Sequence, residues 1–74
     1  MDAQEQSDMV AAGLMSVREA ARFLSVSRST LYELMESGRL VYVKLGRARR
    51  IPRRAVVALA AANLRGGWQR EGQR

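Results

Sequence analysis

The sequence predicts one small, mostly α-helical domain with a β-hairpin set between its second and third helices. Three observations predict it. Apolar residues recur at helical spacing in three stretches, around 17–24, 28–37 and 56–64. A β-branched and aromatic run, Leu-Val-Tyr-Val-Lys-Leu at 40–45, lies between the second and third of these. With 74 residues, folding buries only roughly 60% of the unfolded surface, so a single core is the ceiling.

Residues 1–13 show no helical periodicity and read as a flexible leader; Leu14-Met15 begins the fold. Ser16 followed three residues later by Glu19 is the signature of a capping box. Val17, Ala20, Ala21 and Leu24 then form one helical stripe, with Arg18 and Arg22 off it, so the first helix spans 17–24. Ser25-Val26-Ser27 breaks it. Ser27 is an N-cap for the second helix, and Val26 with Leu31 has the spacing of a hydrophobic staple. Leu31, Leu34 and Met35 make the inner face, and Gly38 sits where a left-handed residue ends a helix, giving 28–37. Two short helices across a three-residue turn make a helix-turn-helix pattern. The strand 40–45 turns at Gly46-Arg47-Ala48 and returns through Arg49-Arg50-Ile51, a wing that Pro52 stops. Val56, Leu59, Ala60 and Leu64 mark the third helix, which Gly66-Gly67 ends. The domain thus runs 14–65, and 66–74 is a flexible basic tail. Trp68 in that tail is a candidate for docking a partner or folding back over the third helix.

Composition removes several chemistries. Without Cys or His there is no disulfide framework, no zinc finger, no thiol nucleophile and no imidazole base, and no cofactor or metal is expected. The carboxylates are scattered over leader and helix surfaces rather than gathered in a pocket, so no enzyme is expected. No stretch approaches the ~20 apolar residues of a membrane span. The start, Met-Asp-Ala-Gln-Glu, is the opposite of a signal peptide, so a cytoplasmic protein is expected.

The formal net charge is +6, and its placement is more informative than its sum. Between 39 and 54 stand Arg39, Lys44, Arg47, Arg49, Arg50, Arg53 and Arg54, with no acid among them. Such one-sign density is relieved by a polyanion. In a helix-turn-helix the start of the second helix enters the DNA major groove. Its outward face carries Ser29, Glu33 and Glu36, flanked by Arg28 and Tyr32. Ser27, Arg28, Ser29, Thr30, Tyr32 and Glu33 are therefore the candidate readers: Arg28 for guanine or phosphate, Glu33 for a cytosine amino group, Tyr32 for phosphate. Glu36 reads as a solvated residue. Lys44, Gly46, Arg47, Arg49, Arg50 and Arg53 are the candidates of wing and flank, along a backbone or in a minor groove, with Arg18 flanking from the first helix. Alternation sends Arg49 and Arg50 to opposite faces, so one of the two is expected to brace the fold or a flank. Arg53 and Arg54 open the third helix, where its dipole disfavours cations.

Ser16-Val17-Arg18-Glu19-Ala20-Ala21, Val26-Ser27-Arg28-Ser29-Thr30-Leu31-Tyr32, Ser37-Gly38-Arg39-Leu40, Lys44-Leu45-Gly46-Arg47 and Arg50-Ile51-Pro52 together resemble the excisionase-type helix-turn-helix family, related to the DNA-binding domain of MerR regulators. The resemblance covers about 14–64. It implies a winged helix-turn-helix on double-stranded DNA in the bacterial nucleoid, and a recombination directionality factor that binds repeated sites side by side, bends DNA and favours excision by a tyrosine integrase. A small regulator of transcription from a phage or mobile element is the alternative it implies. Glu33 departs from a position that is often basic or polar in the family. The MerR coiled coil and effector domain are missing, so neither a small-molecule ligand nor the usual MerR dimer is expected. A protein-interaction module of antitoxin type is a third reading, disfavoured by the basic run.

Overall fold

The computed structural model describes residues 2–65. In chain order the elements are α1 (Ala3–Ala11), β1 (Leu14–Ser16), α2 (Val17–Leu24), α3 (Arg28–Glu36), β2 (Val43–Leu45), β3 (Ala48–Pro52) and α4 (Arg53–Ala62). The three strands form one antiparallel sheet in the order β1-β3-β2. Leu14, Met15 and Ser16 face Pro52, Ile51 and Arg50, while Val43, Lys44 and Leu45 face Arg50, Arg49 and Ala48. Pro52 has no N–H to give, so it closes the strand, and the next amide, of Arg53, donates to the Gly13 carbonyl at 3.0 Å.

The core is assembled from β1, α2, α3, β3 and α4, with Leu40 from the loop after α3: Met15, Ala20, Ala21, Leu31, Met35, Leu40, Ile51, Ala55 and Val56 are buried. Leu31, Ile51 and Val56 are wholly so. Each large side chain of this kind contributes about 1.5–3 kcal/mol by leaving water.

The helix ends are set by local chemistry. Ser16 Oγ accepts from the Glu19 N–H at 3.0 Å and Glu19 Oε1 accepts from the Ser16 N–H at 2.9 Å, the expected capping box. Residue Ser25 ends α2 in the left-handed region, φ 56°, which costs a non-glycine residue roughly 1–2 kcal/mol. The bond from the Val26 N–H to the Ala21 carbonyl, 3.0 Å, holds this turn. At the end of α3, Gly38 takes φ 82°; its N–H bonds the Met35 carbonyl at 3.1 Å and that of Arg39 bonds Leu34 at 2.9 Å. That is a Schellman cap.

Four expectations are corrected. Residues 3–11 are helical, because Asp2 and Glu5 make a second capping box and Met9 packs against the core. The first wing strand starts at Val43 rather than at 40, since the amides of Arg39 and Leu40 are spent on the Leu34 carbonyl. Ala48 already belongs to β3, so the turn is Gly46-Arg47 alone. Gly46 has φ 64° and Arg47 does not share it, the pattern of a II′ turn with glycine first. Finally α4 ends at Ala62, short of Leu64, and Ala60 within it and Leu64 beyond it are both exposed. There Asn63 Nδ2 donates to the Leu59 carbonyl at 2.8 Å, and an asparagine side chain bonded so competes with further helix. The expectations about Gly66-Gly67, Trp68 and the tail lie outside the described residues.

Candidate nucleic-acid interface

Helix α3 begins where Ser27 caps it. Ser27 Oγ accepts from the Thr30 N–H at 3.0 Å and donates to Thr30 Oγ1 at 3.0 Å. Both hydroxyls are thus engaged with one another, which orients the first turn and leaves Arg28 and Ser29 as its exposed, uncommitted side chains. Glu33, one turn further on, is also exposed.

The wing divides the basic residues by face. Arg47 at the tip and Lys44 on β2 are exposed. Arg50 lies on the other face of β3 from Arg49, half-buried opposite Ser16 and Val43, and its Nη1 donates to the Arg49 carbonyl at 3.0 Å. Arg50 and Arg53 both act electrostatically on Glu19 of α2. Glu19 is held below its ordinary value of 4.5, first by the Ser16 backbone N–H, with the Ser16 hydroxyl and the two arginines adding to it. Arg18, Arg53 and Arg54 are exposed.

A lowered folded-state pKa means that ionised Glu19 stabilises the native state above the ordinary carboxylate range, and that this contribution is lost as pH falls through the lowered folded value. The denaturation midpoint of Glu19→Gln is thus expected below wild type near neutrality, with the gap closing on acidification. A gap that stays constant from neutrality to acid would show that ionisation of Glu19 contributes nothing.

Arg49 behaves differently from the rest. Its guanidinium lies 4.6 Å from the ring centroid of Tyr42 and 5.2 Å from that of Tyr32, and its Nη1 is 3.0 Å from Glu36 Oε2. The expectation that one of the adjacent arginines braces the fold fits Arg49. The reading of Glu36 as merely solvated is corrected: it pairs with Arg49 across the gap between helix and wing. Tyr42, which the sequence marks only as a strand former, is the member of this cluster to which it gives no role. The i, i+4 spacing of Tyr32 and Glu36, which puts both on one helix face, was the available signal for Glu36. Arg28, Lys44, Arg47, Arg53 and Arg54 have no carboxylate within 4.0 Å among the described residues, and no group of three potential metal ligands occurs there. No helix among them is long and apolar enough to cross a membrane.

Helices α2 and α3 across a short turn, followed by the β2–β3 hairpin, make a winged helix-turn-helix, a DNA-binding class of fold. The helix-turn-helix domain family matches residues 14–64, and the chain belongs to that family. Over 48 residues the chain is 46% identical to a probable excisionase of Saccharopolyspora erythraea, a match covering 65% of this chain and 49% of that protein. The chain therefore spans about half the length of the curated relative it matches. No solved structure matches it.

Proposed function

We propose that this chain is a recombination directionality factor of excisionase type, which binds double-stranded DNA through α3 and the wing and performs no catalysis of its own. The observation that carries the reading is the set of exposed cations with no carboxylate within 4.0 Å among the described residues, at the start of α3 (Arg28), in the wing (Lys44, Arg47) and at the start of α4 (Arg53, Arg54). In this reading the domain is 14–65, Arg28 and Ser29 meet base edges in the major groove, and Glu33 accepts from a cytosine amino group. Arg47 and Lys44 follow the phosphates or enter the minor groove beside them, and Arg18, Arg53 and Arg54 hold flanking phosphates. Ser27 and Thr30 act by orienting the first turn.

One module of this size buries about 600–1,000 Å² on DNA, too little for strong binding alone, so several copies sit side by side on repeated sites. Bending of the DNA and promotion of excision by a tyrosine integrase follow from such an array. The working place is the nucleoid. The likeness to a probable excisionase supports this reading.

A gel-shift titration on the ends of the surrounding mobile element tests it. The expected result is a ladder of cooperative complexes, weaker per protomer on one isolated site. Arg28→Ala costs about 1–3 kcal/mol and relaxes preference at one or two base pairs, whereas Arg47→Ala weakens all sequences alike. Binding confined to a promoter would instead make the chain a transcription regulator. Weak binding indifferent to both changes would remove the proposed surface.

A further inference from the structure

We propose that Arg49 is not a DNA contact but a positioning residue, which locks the wing to the recognition helix so that both meet the duplex as one rigid surface. The proposal rests on the DNA-binding reading above for its purpose, though not for its first test.

Three side chains from two other parts of the chain meet at this guanidinium. Tyr32 and Glu36 come from α3, Tyr42 from the link into β2, and Arg49 from the central strand. Arginine suits such a place because its plane can lie against rings while its edge meets a carboxylate. A residue meant for phosphate would keep its donors in solvent. Here the Arg49 side chain is only 22% exposed, and Nη1 is buried with Glu36 Oε2 close but off the N–H axis. A buried donor left without a good hydrogen bond is costly, and so is kept where the charge does something else. The register supplies a further reason for Glu36. Lys44 lies directly opposite Arg49 across the β2–β3 pair, and like charges so placed repel. Glu36 offsets that repulsion and ties it to α3. Without the clamp, the outer strand β2 and the hairpin tip are tied to α3 by the link 37–42 and, through β3, by the core that Ile51 shares with Leu31 and Met35, so their angle to the helix is looser.

Hydrogen exchange of the free chain tests this first. Arg49→Lys keeps the charge but gives up the flat stack, and is expected to raise exchange of the β2 amides about tenfold while those of α2 stay unchanged. Unchanged β2 exchange overturns the proposal, whatever happens on DNA. The second measurement uses duplexes that the purified chain selects from a randomised pool. Arg49→Lys and Glu36→Gln are each expected to lower the ratio of selected to random affinity about tenfold, with the salt dependence of binding unaltered. Glu36→Gln separates the two roles by sign. Removing an acid beside DNA tightens binding if only charge matters, and tightening overturns the proposal. A loss of about one unit of salt slope in Arg49→Gln makes Arg49 a phosphate contact, and overturns it too. A pool that enriches no sequence goes against the DNA reading, and the exchange rates then decide the clamp alone.

Discussion

Raising monovalent salt from about 50 to about 200 mM is expected to weaken DNA binding by two to three orders of magnitude per protomer. Each phosphate neutralised by a cation releases counterions, so log K falls against log salt with a slope of about −0.9 per contact. Arg18, Lys44, Arg47, Arg53 and Arg54 are the exposed cations that the proposed surface sets on phosphate, and five contacts give a slope of roughly −4.5. Arg49 and Arg50 are left out, because Arg49 sits between two tyrosines and Arg50 is bonded to its neighbour's carbonyl beside Ser16. Fluorescence anisotropy of a labelled duplex over a salt series measures the slope. A slope shallower than about −2 would mean that most of these residues never reach phosphate.

Leu31→Ala is expected to cost about 2–5 kcal/mol, the loss of a wholly buried side chain together with the cavity it leaves. Leu31 comes from the inner face of α3, in one core with Ala20 and Ala21 of α2, Ile51 of β3 and Val56 of α4. A domain this small has a net stability of only about 3–5 kcal/mol, so the variant should be largely unfolded at growth temperature. Leu31→Met keeps the volume and should lose less than about 1.5 kcal/mol. Urea titration followed by circular dichroism compares the three proteins. A loss below about 1 kcal/mol in Leu31→Ala would show that the neighbours collapse into the space rather than leave a cavity.

Much of this fold could be read from residues whose effect is local. The capping box at Ser16 and Glu19, the cap at Ser27 and the left-handed Gly38 each act within a few residues, and α2 and α3 begin where those signals stand. What escaped depended on distant partners. Helix α1 has no buried residue and hence no apolar stripe to notice, although Asp2 and Glu5 carry the same box spacing as Ser16 and Glu19. Strand β1 is three residues long and exists only because β3 passes beside it. Of the candidate site, the exposed positions of Arg28, Ser29, Lys44 and Arg47 agree with their predicted faces. The Arg49 cluster was half legible: strand alternation separates Arg49 from Arg50, but nothing in the sequence brings Tyr42 and Glu36 to the same guanidinium.

The strand order has a consequence for the growing chain. The central strand is the last of the three to be synthesised, so neither β1 nor β2 has a partner until residues 48–52 have emerged. For that interval β1 is a bare edge, and Leu31 and Met35 of α3 lack the Ile51 and Val56 that complete their core. Exposed edges and apolar faces of this kind attract other chains. Completion then joins positions nearly forty apart in sequence, Leu14 to Pro52, in a single step that also sets the wing beside the helix. The same late strand that carries Arg49 thus also determines when, during its manufacture, the molecule first becomes able to hold its shape.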